Sequence, residues 1–245
     1  MRTYVLALLL LMPSLAFGQY GGDKSNTTPA SGGTAPSIVQ ACKHVTVFTS
    51  NPSSACTMSS NVTSGDKVYV VFYANAAGAT PSIASTGTGC SGISWTGGSA
   101  VQTFSGTFAS YYAYATVSGT GSCTITGTAT GVTADLPIVA VETTNDNGFD
   151  VSWTWSAVGY QTDPLTPSIS PSLDKDLILA GYQVNTGGTA SVDSPFTIPT
   201  NGATTSPSNV MAGYQQTSHA SIAAQFHSGA AGGQTNAFTL AIKHP

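Results

Sequence analysis

The sequence predicts an all-β protein: a two-sheet antiparallel β-sandwich, jelly-roll or immunoglobulin-like, following a cleaved signal peptide. Three observations carry this. Beta-branched and aromatic residues fall in short runs separated by Gly, Asn, Ser and Pro clusters, the pattern of strands and turns. After the first 18 residues no window carries an apolar stripe at helical spacing, and 27 Gly and 13 Pro interrupt any long helix. Several runs alternate apolar and polar residues strictly, as half-buried strands of an antiparallel sheet do.

In chain order, Met1-Arg2 is a short charged start and Tyr4 to Met12 a dense apolar run that Pro13 ends. Ala16 and Gly18 place small residues three and one before a cut after Gly18, so residues 1–18 read as a secretory signal peptide. The run is shorter than the ~20 residues of a membrane-spanning helix, and no later segment is long and apolar enough to span. Residues 19–36, QYGGDKSNTTPASGGTAP, have too few apolar groups to bury and read as a flexible linker. Residues 37–245 are then one β-sandwich domain. Its expected strands are Ser37–Gln40, Val45–Phe48, Lys67–Ala74, Ala100–Phe104, Ser110–Val117, Cys123–Thr128, Pro137–Thr143, Asp176–Val184, Val210–Gln215, Ser221–His227 and Ala237–Lys243.

Faces can be assigned within these runs. Val68, Val70 and Phe72 share one side of Lys67–Ala74 and Tyr69, Val71 and Tyr73 the other; both are apolar, which marks a central strand. Cys123 and Ile125 point one way while Thr124, Thr126 and Thr128 point the other, giving a Thr-covered outer face. Ile222, Ala224 and Phe226 point inward from Ser221–His227.

Four cysteines in an exported chain predict two disulfides. Three pairings are possible, and Cys42–Cys56 with Cys90–Cys123 is favoured. The first closes a short polar loop, and the second joins two similar Gly-Thr-Gly contexts. Zinc is a poor fit, with no Cys-x-x-Cys and no His at finger spacing. Only 7% of residues are charged and the net charge is −4, with a single Arg, so no basic surface exists to bind nucleic acid.

A resemblance rests on the succession of Ile38-Val39-Gln40, the Gly65-Asp66 turn into Val68–Tyr73, the Tyr-rich run Tyr111–Tyr114 and a Thr-rich run after a Gly turn. Ile138–Glu142, Asp176–Ala180 and Ala237–Lys243 complete it. The chain resembles secreted bacterial β-sandwich modules, lectin-like or jelly-roll-like, over residues 37–243. The resemblance implies a fold and no catalytic residues.

Enzymatic signatures are absent: no Gly-x-Ser-x-Gly, no His-Glu-x-x-His and no phosphate-binding loop. Glu142, the one Glu, shares the face of Ile138 and Ala140, so it is either an acid in a pocket or a structural carboxylate satisfied by hydrogen bonds. Asp146, Asn147 and Asp150, around Gly148, form an acid-rich turn that suits either Ca²⁺ or an Asx turn without metal. Trp153 and Trp155, two apart, project from one face if extended, as do Tyr112 and Tyr114. Each pair is either a platform for sugar rings or part of the core. Trp95, beside Gly97-Gly98, gives no signal. His219 and His227 have no acid or Cys near in sequence. Asn26 and Asn61 begin N-glycosylation sequons.

The function these features favour is a non-catalytic module binding glycans or other neutral extracellular polymers, outside the cell or in the periplasm, with calcium as a possible cofactor and a polysaccharide or cell-surface component as partner. A structural or adhesive surface protein is the alternative, and a glycan hydrolase the third reading.

Overall fold

A computed structural model of the chain describes residues 33–103, 108–205, 207–229 and 233–245. The expected signal peptide, most of the expected linker and Asn26 lie outside the described residues. Residues 33–245 form one compact unit, and the described residues are all-β with antiparallel pairing throughout.

The first part of the chain supplies β1 (Ser37–Ser50), β2 (Ser53–Thr57), β3 (Lys67–Ala74), β4 (Thr80–Thr86), β5 (Thr96–Thr103), β6 (Phe108–Thr116), β7 (Thr124–Thr130) and β8 (Thr133–Thr144). The second supplies β9 (Phe149–Gln161), β10 (Leu177–Val184), β11 (Ser191–Val192), β12 (Ala203–Thr205), β13 (Ser208–Gln215), β14 (Phe226–His227) and β15 (Gly233–Ile242).

These strands make four sheets, where the sequence reading expected two. A five-stranded sheet runs β1-β8-β3-β6-β5 and a second runs β12-β13-β10-β15-β9. A three-stranded sheet runs β2-β7-β4, and β11 pairs with β14. Three cores lie between the layers. Val68, Val70, Phe72 and Ile138 pack against Ile125 and Ala129 of the three-stranded sheet. Tyr69, Val71, Val139 and Val141 pack against Leu177, Leu179, Met211, Phe238 and Leu240, joining the two large sheets. Ile178, Ala180, Tyr182 and Val184 pack beneath Phe226, Val192 and the loop residues Ile169 and Phe196.

The physical reason for four layers is visible in β3 and β10. Their residues past the first position are buried on both faces. A strand apolar on both sides needs a cover on both sides, and each fully buried large side chain contributes ~1.5–3 kcal/mol. β7 alternates as expected, with Ile125 and Ala129 inward and its Thr residues outward. Gly181 lets the large sheets' core close: a Cβ there would lie 2.0 Å from the Val210 carbonyl oxygen and 2.5 Å from the Phe238 ring.

Polar groups fix the register of the two large sheets. Asn209 Nδ2 donates to the carbonyls of Val71 (2.9 Å) and Pro137 (3.2 Å) on the facing sheet. Tyr73 donates to the Val184 carbonyl at 2.5 Å, and Asn236 donates to the Ser110 hydroxyl. Buried groups of this kind are costly if mispaired, so they favour one sheet-on-sheet arrangement over slipped ones. Both expected disulfides form, Cys42–Cys56 tying β1 to β2 and Cys90–Cys123 tying the β4–β5 connection to the entrance of β7. Two disulfides point to an oxidising compartment.

Candidate functional site

A groove of about 460 Å³ opens where the start of β1 passes the end of β13. Ser37–Ala41 form one wall. Gly213, Tyr214 and Gln215 form the other, and the loop Thr197–Asn201 closes one end. Val39 is 49% exposed at the mouth. Tyr214 is half-buried against Phe196, ring centroids 5.6 Å apart. No residue lining the groove is charged; its polar groups are hydroxyls and amides of Ser37, Ser59, Thr197, Thr200, Asn201 and Gln215. Gly213 lets Ile38 pack close against β13: a Cβ there would lie 2.5 Å from Ile38 Cδ1.

Gln40 carries the floor of this groove to Glu142. Its amide nitrogen donates to Glu142 Oε2 at 2.6 Å and to the Ser60 carbonyl at 3.2 Å. Its amide oxygen accepts from the Ser60 N–H and from the hydroxyls of Ser59 and Ser60. Glu142 Oε1 accepts from the Thr63 N–H at 2.9 Å. Glu142 is completely buried. Burial pushes its pKa up, the bonds from Gln40 and Thr63 oppose the rise, and Asp66 nearby adds to it. The arrangement is that of a structural carboxylate fixing Gln40, not of an acid open to a substrate.

The aromatic residues meet on the other side of the stack. Trp153 and Trp155, on β9, stack on each other at 6.0 Å and 12°. Both pack on Phe238, at 5.2 and 4.9 Å, and on Tyr112. Tyr114 meets Phe149 edge to face at 5.0 Å and stacks on Tyr69. The four residues expected as a platform are therefore brought together, half-buried at the rim of the core between the large sheets. The indole N–H groups of Trp153 and Trp155 are buried and donate no hydrogen bond.

A second groove of about 300 Å³ has an aromatic lining that the sequence reading missed: Trp95, Phe72, Tyr111 and Tyr112, over Gly97 and Gly98. Trp95 Nε1 reaches Ser85 Oγ at 3.4 Å. The only advance signal was a lone Trp followed closely by two glycines, which leave a ring uncovered.

Of the two readings of Asp146, Asn147 and Asp150, the Asx turn is seen: the Gly148 N–H donates to Asp146 Oδ1 at 2.8 Å. Asp146 is filled by the Lys67 ammonium and the Tyr69 hydroxyl, each at 2.6 Å, with the Thr143 hydroxyl and the Gly148 N–H completing its shell. Asp150 instead accepts from the N–H and hydroxyl of Ser172, and Asn147 is exposed. Among the described residues no three His, Cys, Asp or Glu side chains are placed to share a metal ion. The histidines gain acids from distant parts of the chain: His227 lies between Asp163 (2.8 Å) and Asp193 (3.1 Å), which raise its pKa, and His219 sits 2.9 Å from Asp174. Asn61 is exposed. No family model, curated protein or solved structure matches the chain.

Proposed function

We propose that the protein is a secreted, non-catalytic module that binds neutral glycans or a similar uncharged polymer in the β1–β13 groove. The observation that carries this is the chemistry of that groove: neutral hydroxyl and amide groups beside the apolar surfaces of Ile38, Val39, Pro199 and Tyr214, with no charge among them. A sugar ring offers the matching pair, hydroxyls at its edge and C–H groups on its face. Two disulfides and the N-terminal sequence support export. The order β1-β8-β3-β6 facing β2-β7-β4 supports a jelly-roll winding for the first part of the chain.

The test is a glycan array with the full mature chain, followed by titration of any retained glycan. Asn201→Ala and Tyr214→Ala are each expected to weaken binding about 3- to 10-fold, as a lost hydrogen bond or small anchor of ~1 kcal/mol does. Both variants should also melt below native, Tyr214→Ala through lost packing on Phe196 and Asn201→Ala because Asn201 has a positive φ of 64°, whereas Gln215→Ala, at an exposed residue of the groove, should weaken binding with a melting temperature near native. An array with no retained neutral glycan, or unchanged affinity in all three variants, refutes the reading. A structural or adhesive role is the second reading. Val47 (64% exposed) and Phe48 (75% exposed), adjacent on edge strand β1, favour it, and self-association lost in Phe48→Ser would support it.

A further inference from the structure

We infer that the chain is a tandem duplication: residues 37–144 and 149–242 are two copies of one sandwich unit, fused and packed face to face about a pseudo-twofold. The pairing orders coincide strand by strand. β1-β8-β3-β6-β5 in the first copy becomes β9-β15-β10-β13-β12 in the second, in the same chain order. The small sheet repeats as well. β7 lies between β2 and β4, and the segment 222–227 lies between the bridged residues Leu165 and Ile169 and strand β11.

The hydrogen bonds that launch the central strand are the same in each copy. Gly65 N–H donates to the Val117 carbonyl and Val117 N–H to the Asp66 carbonyl. Lys175 N–H likewise donates to Gln216, and Gln216 N–H to Asp176. Gly65 and Lys175 both have positive φ, +93° and +65°, an uncommon conformation for Lys. A buried Asp follows each.

The contacts between the copies are isologous, as a twofold requires. Strand pairing makes Ser110 equivalent to Asn209 and Pro137 to Asn236. Asn236 donates to Ser110, and Asn209 donates to the Pro137 carbonyl. The same holds at the two rims. Ile38 is equivalent to Phe149 and Gly213 to Tyr114. Ile38 lies over Gly213, and Phe149 lies over Tyr114. The rims have diverged: one holds an aromatic pair, and its counterpart, with Ile38 over Gly213, lines the groove.

The test transplants one rim into the other in the full chain. Ile38→Phe with Gly213→Tyr installs the Phe149–Tyr114 pair at the equivalent place. If the rims are equivalent, the double variant keeps a cooperative melt within ~5 °C of native or above it, and Gly213→Tyr alone melts lower than the double. A double variant that melts more than ~5 °C below native, or no better than Gly213→Tyr alone, overturns the duplication. A second measurement does not depend on that variant folding. In a crystal structure of the native chain, superposing 37–144 on 149–242 should align all five strands of each large sheet at the equivalences above. A register different by one or more residues in the central strands overturns the inference.

Discussion

Trp153→Ala and Trp155→Ala each lower the melting temperature by about 6–12 °C, the shift expected for a loss of ~3 kcal/mol in a domain of this size. Complete truncation of a buried Trp costs ~3–5 kcal/mol, and the half-burial of these rings puts them at the lower end. Each ring rests on Phe238 and Tyr112, so either truncation opens a void at the edge of the core shared by the large sheets. Because the two indoles stack on each other, the double variant loses less than the sum of the singles. Trp153→Phe is expected to be far milder, since it keeps the ring contact and removes an N–H that is buried without an acceptor. Thermal melts of the three single variants decide the matter. Alanine variants that melt within ~2 °C of native and lose glycan binding would return the pair to the role of a platform.

Much of the fold was legible because β patterning acts locally. The two-sided apolar run Lys67–Ala74 became the central strand β3, and the alternation of Thr124–Thr128 became the outer sheet. The layer number was written in the same residues. β10, LILAGYQV, is apolar on both faces like β3, and two such strands cannot both be covered within a two-sheet sandwich. The repeat was not legible. Between the equivalent stretches of β3 and β10, β6 and β13, and β8 and β15, only Ala113 and Ala212 are identical. Each copy needs only apolar residues of suitable volume at inward positions, which many sequences satisfy. β9 lacked a breaker-bounded apolar run, and its Trp pair was readable as a spacing without a destination. The groove was hidden for a different reason: its walls come from residues 37–41, 197–201 and 213–215, which are distant in sequence and individually silent. The partners of Asp146 were hidden in the same way: Lys67 and Tyr69, far away in sequence, reach it.

Asp176→Asn is expected to stabilise the protein at pH 8 and to leave it nearly unchanged at pH 4. Asp176 precedes β10 with a fully buried side chain, and neither carboxylate oxygen accepts a hydrogen bond. His244 Nδ1 is 3.9 Å from Oδ1. Burial raises the pKa first, the carboxylates of Asp150 and Asp174 raise it further, and Lys243 offsets part of the rise; the result is about 7. In the unfolded chain an Asp titrates near ~3.9. Between these two values the unfolded chain releases a proton that the folded protein keeps. Stability therefore falls as pH rises from ~4 to ~7 and levels off above. Asparagine keeps the shape and carries no charge, so the variant should melt several degrees above native at pH 8, with the gap closing toward pH 4. Glu142 supplies the contrast. It is also buried and also beside an acid, yet Gln40 and Thr63 donate to its two oxygens. Glu142→Gln should therefore gain little at pH 8 and lose the bond that orders Gln40. A melting-temperature difference between native and Asp176→Asn that stays flat from pH 4 to pH 8 would show that Asp176 is already ionised and satisfied in the folded protein.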